Sequence, residues 1–304
     1  MAISEEPDDD AREPSFPQAD NPAPPPGLYL AGTPIGNLGD VSARLRATLA
    51  AAAVVAAEDT RVARRLLSAL GIPAPKLVRC DERASAGIAA RLAEAARGQV
   101  VVFVADAGMP GIADPGAALV AAAAAASVPV TVVPGPSALA TALALSGLPA
   151  EPFLFLGFLP PKTGPRARRL AEFASLPATL VAFEAPHRLA ETLAAMAEVL
   201  GPRPACVLRE LTKRHEERRA GTLDALAAVY TGATEIRGEI VIVVGPPDAG
   251  ARTGPDAATL DAKLREALAG LGVRDAADRV AASTGLPRRQ VYARALELAG
   301  KSKR

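Results

Sequence analysis

The sequence predicts an α/β protein with two domains built on mainly parallel sheets and a small helical module at its C-terminal end. Three observations carry that expectation. Short apolar runs alternate with alanine-rich helical stretches along residues 28–244, the pattern of strands buried on both faces and separated by helices. The chain has 304 residues, half of them apolar and 22% charged, which suits about two domains with sizeable cores. Glycine and proline, 25 and 28 in number, cluster in short turn-like segments such as βα loops use.

The strand candidates are residues 28–31, 54–57, 100–105, 130–133, 153–156, 179–183, 205–209 and 239–244, with helical patterns such as 138–145 and 189–200 between them. A cut near 147–152 gives an N-terminal α/β domain over 28–147 and a second over 148–245. The run PPDAGARTGP (residues 246–255) reads as a linker, so a third region spans 257–304. Its helices are expected at 259–269, 275–282 and 287–298, with Asp275 as a cap, Gly285 as a stop and Pro287 in a first turn. The segment VAASTGLPRRQVYARAL has the look of a helix-turn-helix, with Arg288, Arg289 and Arg294 on its last helix.

Residues 1–27 hold seven prolines, one aromatic residue, and seven acids against one arginine, so they are expected to be a disordered acidic tail. The net charge of +1 therefore hides a tail of −6 and leaves +7 for residues 28–304, which is compatible with a polyanionic partner. Cys80 and Cys206 lie far apart without a CxxC partner, and a reducing, cytoplasmic setting is the simpler reading. No apolar stretch is long enough to cross a membrane, and the acidic N-terminus is unlike a signal peptide. The two histidines and two cysteines show no ligand spacing, so no metal site is expected.

Three loops each follow a strand candidate and precede a helical one: GTPIGNLGD (32–40), DAGMPGIADPG (106–116) and VPGPSA (133–138). Glycine lets the backbone approach a ligand closely, and proline fixes a turn without needing a donor. Neither GxxxxGK[ST] nor GxGxxG occurs in them, which disfavours a P-loop and an ordinary dinucleotide site. A compact, mostly uncharged ligand held through backbone groups suits them better.

The motifs LYLAGTPIGNLGD, VVAAEDTR, VADAGMPGIADPG, VVPGPSALATALALSGLP, FLFLGFLPPK, LVAFEAPHR, LRELTKRHEE and RGEIVIVVG follow one another in order. Over residues 28–304 the chain resembles the tetrapyrrole-methylase fold superfamily and, within it, the ribosomal RNA small subunit methyltransferase I family. The resemblance implies a homodimer of two-domain α/β subunits with S-adenosylmethionine in the interdomain cleft. It also implies 2′-O-methylation of a cytidine in small-subunit (16S) ribosomal RNA, with the RNA or the 30S subunit as partner. It puts the cofactor against Ile35 and Gly36 of the first loop, Asp106, Gly108, Met109, Pro110 and Ile112 of the second, Gly135, Ser137 and Ala138 of the third, and Phe183 and Glu184 beyond. The second loop departs from the family's usual DAGTPLISDPG at Met109, Gly111 and Ala113. RCDERAS (79–85) lacks the family's His and Asn and is given no catalytic role.

A ribose hydroxyl is a weak acid, so methyl transfer to it gains from a base or a nearby cation. Candidates are His187 in EAPHR, Lys213 in RELTKRH and Glu58 in AEDTR, while Asp59 and Glu184 can equally be helix caps. Phosphate contacts are expected of Arg61, Arg188, Arg288 and Arg289, and of Lys162, Arg166 and Arg168 after GFLPP. Two other readings remain open: a tetrapyrrole or diphthine-type methylase of the same fold, and a non-catalytic RNA-binding assembly factor.

Overall fold

The computed structural model describes residues 23–81, 86–112, 114–232, 236–247, 257–284, 286 and 288–301. It divides into two compact units. The first runs to Gly147 and also holds Val207–Arg218 and Gly238–Val241, and the second comprises Leu148–Cys206, Arg219–Arg237 and the residues from Ile242 onward.

In the first unit β1 (Gly27–Ala31), β2 (Val54–Ala57), β3 (Lys76–Arg79), β4 (Val100–Val104) and β5 (Val130–Val133) form one sheet in the order β3-β2-β4-β1-β5. All four pairings are parallel. The connecting helices are α1 (Ala43–Ala51), α2 (Thr60–Ala69), α3 (Ala86–Ala96), α4 (Gly116–Ala125) and α5 (Ala138–Ser146). Alternate strand residues go to opposite faces, so Tyr29, Val55 and Val102 pack with Leu45, Leu49 and Leu67 of α1 and α2. Leu28, Leu30 and Phe103 pack with Leu92 and Leu119 of α3 and α4 on the other face. This two-sided burial explains why β1, β2 and β4 are buried at every position.

Local signals set the helix ends. The side chains of Ser42, Asp59 and Ser137 accept hydrogen bonds from the first turns of α1, α2 and α5. Gly147 ends α5 in the left-handed region at φ +74°.

Beyond Gly147 come β6 (Phe153–Phe158), α6 (Thr163–Ala171), β7 (Thr179–Glu184), α7 (Leu189–Leu200), β8 (Pro204–Arg209), β9 (Glu217–Thr222), α8 (Leu223–Thr231) and β10 (Ile240–Val244). Their sheet runs β6-β7-β10-β8-β9, with β6 and β7 parallel. Only residues 210–216 join β8 to its neighbour β9, too few for a parallel crossover, so the mainly parallel plan ends in a hairpin at this edge.

Helices α9 (Ala257–Leu268), α10 (Val273–Thr284) and α11 (Arg288–Lys301) enclose a core of their own around Leu264, Ala276, Val280, Val291 and Ala295. Asp275 is not the cap expected of it: α10 starts two residues earlier and Asp275 lies in its first turn, where its charge still complements the helix dipole. Gly285, Pro287 and residues 248–255 of the expected linker lie outside the described residues, as do residues 1–22 of the expected tail.

Two strands escape the sequence reading. β3 is four residues on a sheet edge with no fully buried position, and β9, ERRAGT, has no alternation of apolar residues and is largely exposed. Gly27, assigned to the tail, is the first residue of β1. Tyr29 of that strand donates its hydroxyl to the Pro25 carbonyl at 2.7 Å.

Leu264 is fully buried among α9, α10 and α11. Leu264→Ala should therefore cost about 2–5 kcal/mol. Hydrogen exchange should quicken throughout α9–α11 while amides of β1, β2 and β4 keep their protection.

Candidate functional site

Strands β4, β1 and β5 are parallel neighbours, so the loops after them leave the sheet at one edge. That is the carboxyl edge, where open α/β sheets bind ligands. The Gly32 amide donates to the Val133 carbonyl at 2.9 Å, and the Thr33 amide to the Gly108 carbonyl at 2.9 Å, which ties all three loops together. Gly32 and Gly135 lie backbone to backbone. A β-carbon on Gly135 would fall 2.6 Å from the Gly32 oxygen, and one on Gly32 would fall 2.7 Å from the Gly135 amide nitrogen.

The Met109 thioether sits at the same junction, accepting from the Gly135 amide at 3.2 Å. Gly108 is buried at φ +78°, a conformation that favours glycine, and a β-carbon there would approach the buried Ile35 at 3.2 Å. Pro110 is buried and Ile112 is exposed. Gly111, at φ +93°, donates to the Asp114 carboxylate, which also accepts from the Ile112 and Gly116 amides. Ala113 lies outside the described residues. The Ser137 hydroxyl caps α5 next to Ala138.

Strand β2 adds the next turn of this edge. The Asp59 amide donates to the Asp106 carboxylate at 3.0 Å, and the Asp106 amide to Glu58 at 3.3 Å. Asp59 caps α2 and grips Arg61 with both oxygens. The hydrogen bonds from the Arg61 side chain and amide hold the Asp59 carboxyl down at about 2. A cavity of about 340 Å³ opens here, lined by Thr33, Pro34, Gly36, Leu38, Val62 and Asp106 among others.

The RELTKRH turn belongs to the same unit. Glu210 and Thr212 both adopt left-handed backbone, at φ +54° and +65°, uncommon for residues with side chains and strained for a β-branched one. The Lys213 stem lies over Gly36, where a β-carbon would collide with Lys213 Cγ. Lys213 Nζ donates to Glu210 at 2.8 Å and Glu239 at 3.2 Å. Burial favours the neutral amine, but the two carboxylates together outweigh it and raise the Lys213 pKa. Lys213 is thus a fixed cation beside the first loop and is no base at neutral pH. Glu210 stands with Lys213 in the RELTKRH cluster of the sequence, whereas nothing in the sequence ties Glu239 to this turn.

In the second unit Phe183 packs edge-on against Phe155 and Phe158. Glu184 is buried, and its carboxylate accepts from the Ala185 amide, the Thr192 hydroxyl and Arg188. Arg188 also donates to the Leu159 carbonyl at 2.6 Å, which binds it within the fold. His187 is exposed in the short 3-10 turn Pro186–Arg188. Lys162 and Arg168 are exposed. Arg166 is not the surface cation expected of it: it is buried against Thr192 and Glu191, because the face of α6 that carries it also carries the buried Leu170. On α11 Arg289 is exposed, Arg288 pairs with Asp278, and Arg294 pairs with Asp261 and Glu297.

Among the described residues no cluster of three His, Cys, Asp or Glu could hold a metal, and no helix is long and apolar enough to cross a membrane. Cys80 and Cys206 are buried and carry no disulfide.

Comparison with known proteins matches residues 27–227 to the family model Tetrapyrrole (Corrin/Porphyrin) Methylases, and residues 254–299 to the RsmI C-terminal HTH domain. The ribosomal RNA small subunit methyltransferase I of Mesorhizobium japonicum is 46% identical over 92% of this chain and 96% of its own length. The protein of the same name from Mycobacterium bovis is 46% identical over 87% of this chain and 93% of its own. The chain belongs to the ribosomal RNA small subunit methyltransferase I family of tetrapyrrole methylases.

Solved structures place this methyltransferase family's fold in wider company. A diphthine synthase superposes with TM-score 0.56 at 16% identity, over 72% of this chain and 89% of that one. A uroporphyrin-III C-methyltransferase from Thermus thermophilus, complexed with S-adenosyl homocysteine, superposes with TM-score 0.50 at 22% identity, over 72% and 97%. At such identities the likeness is one of fold alone.

The depressed Asp59 carboxyl makes the capped turn acid-sensitive. Its ionised form is favoured by the fold, so its contribution to stability is present above the ordinary pKa of 3.8 and is lost as pH falls through about 2. Asp59→Ala should lower the melting temperature at pH 7, with the difference from the parent shrinking as pH falls from 4 to 2. Thermal melts over that range measure it.

Proposed function

We propose that the chain is an S-adenosylmethionine-dependent enzyme that methylates the ribose 2′-hydroxyl of a cytidine in small-subunit ribosomal RNA, free or within the 30S subunit. The observation that carries this reading is the backbone junction of Gly32 and Gly135 at the carboxyl ends of three adjacent parallel strands, in a chain nearly half identical to small-subunit RNA methyltransferases. The ribosomal substrate also argues for a cytoplasmic protein.

The loops fit such a cofactor. Their glycines let the backbone approach a ligand closely, Asp106 offers a carboxylate to hydroxyl groups, and Ile35 and Ile112 are apolar walls for a base or thioether; Phe183 is assigned to the cofactor on the family resemblance alone. Gly36, Gly108, Met109, Pro110, Ser137 and Ala138 complete the proposed set. Because the Glu184 carboxylate is engaged by Ala185, Thr192 and Arg188, its part is to fix the turn after β7. When bound, S-adenosylmethionine supplies a methyl group on a sulfonium. Orientation of the acceptor supplies much of the remaining acceleration.

Lys213, held charged, stabilises the developing alkoxide, and His187 or Glu58 accepts the proton. Glu58 accepts from the Asp106 amide and His187 is exposed; both stand as candidates. Arg61, Lys162, Arg168 and Arg289 are the exposed cations for RNA phosphates, whereas Arg188 and Arg288 are already held by Glu184 and Asp278. The helical end, matched to a helix-turn-helix domain, is a further RNA-contacting module. A homodimer would cover Val130 and Val132, which are 36% and 49% exposed on the edge strand β5.

Gly135→Val should lower S-adenosylmethionine affinity at least about tenfold, or about 1.4 kcal/mol, in calorimetry. Unchanged affinity in a folded variant removes the junction from the cofactor site. Lys213→Met and His187→Ala should each slow methylation at least about tenfold while cofactor affinity stays normal. Mass-spectrometric mapping of ribosomal RNA from cells with and without the protein tests the acceptor itself.

A further inference from the structure

The carboxyl end of the β6–β7 pair presents an aromatic side chain that the cofactor reading leaves unused. The register of β6 against β7 shifts between Phe155 and Phe158, and Phe158 comes to lie opposite Phe183. The cause is Gly157, at φ +64° with open space where a β-carbon would stand, so glycine is needed there for backbone conformation alone. Such a bulge re-aims the side chain that follows it. Phe158 is 60% exposed, the most exposed of the large apolar side chains described, and its ring stands 5.7 Å from Phe183 at 63°.

The chain is held just beyond Phe158. Leu159 is buried, and its carbonyl accepts from Arg188, whose guanidinium is fixed in turn by the buried Glu184 carboxylate and, through it, by Thr192. Four residues after Phe158, Lys162 opens α6, and Arg168 follows; both are exposed, and neither has an acidic partner among the described residues. An exposed aromatic followed within a few residues by exposed cations is a pattern that suits an unstacked nucleotide, the ring taking the base and the cations the phosphates.

We propose that Phe158 is the stacking platform for a base of the RNA, with Lys162 and Arg168 on phosphates of the same strand. This rests on the RNA-methyltransferase reading and adds to it a residue that holds the RNA. Stacking tolerates any aromatic ring but no aliphatic one, which sets the test.

The chain contains no tryptophan, so Phe158→Trp introduces a single tryptophan at the proposed platform. Titration with a short cytidine-containing single-stranded RNA, with excitation at the red edge of tryptophan absorption, should change its emission. Phe158→Ala should raise KM for 30S subunits about tenfold or more, with S-adenosylmethionine affinity and oligomeric state unchanged. Parental KM in Phe158→Ala, or tryptophan emission in Phe158→Trp that is indifferent to RNA, overturns the proposal. A variant that loses its self-association makes Phe158 a subunit contact, and one that loses cofactor affinity makes it a cofactor wall; either result also overturns it. Failure of the parent protein to methylate 30S subunits would instead remove the enzyme reading beneath it.

Discussion

The candidate site depends on one close approach, that of the Gly32 and Gly135 backbones. Neither residue can carry a β-carbon without meeting the other's main chain at 2.6–2.7 Å. The approach follows from the sheet. β1 hydrogen-bonds to β4 on one side and β5 on the other, all parallel, so the chain emerges from three adjacent strands at one edge with little room between. The two-faced burial of β1 and β4 fixes that register, because a slip by one residue would exchange the partners of every buried valine and leucine. Packing thus positions the loops, and glycine lets them meet.

Met109 shows how such a junction accommodates change. The family's second loop commonly has threonine there, and this chain has a longer apolar side chain. Its sulfur reaches the Gly135 amide and fills the space beside Gly32. The thioether is a weak acceptor but a flexible one, and here it gives a partner to a main-chain donor at the junction. The substitution alters what the second loop offers a ligand without opening the contact between loops one and three.

Legibility in the sequence followed burial. β1, β2, β4 and β10 could be read because each is apolar at nearly every position, and α7 because its apolar residues recur with helical spacing. β9 could not, since ERRAGT sits on a sheet edge where nothing demands apolar residues. The glycine loops were readable as loops, but their meeting depends on strand order, which no local pattern records. The same applies to charge. Arg166 and Arg168 look alike in sequence, yet the helical face of Arg166 is turned inward and that of Arg168 outward. Lys213 was visible as a candidate; that Glu239 grips it, 26 residues later, was not.

The turn that holds Lys213 carries the strongest sign that its geometry is required. Left-handed backbone at a non-glycine residue costs on the order of 1–3 kcal/mol, and Glu210 and Thr212 both adopt it. The surroundings over-determine the conformation. The Glu210 amide donates to the Glu239 carbonyl, the Glu239 amide to the Glu210 carboxylate, and the Thr212 amide to Glu216. Gly238, at φ +94°, leaves room for the Glu210 side chain, which a β-carbon there would meet at 2.5 Å. A lysine needed only for solubility would call for none of this. The turn aims a stem across Gly36 and clamps its ammonium between two carboxylates, so the cation stays charged and stays in place. Such preorganised charge requires no reorganisation when an opposite charge forms nearby, and the turn holds it over Gly36 of the first loop.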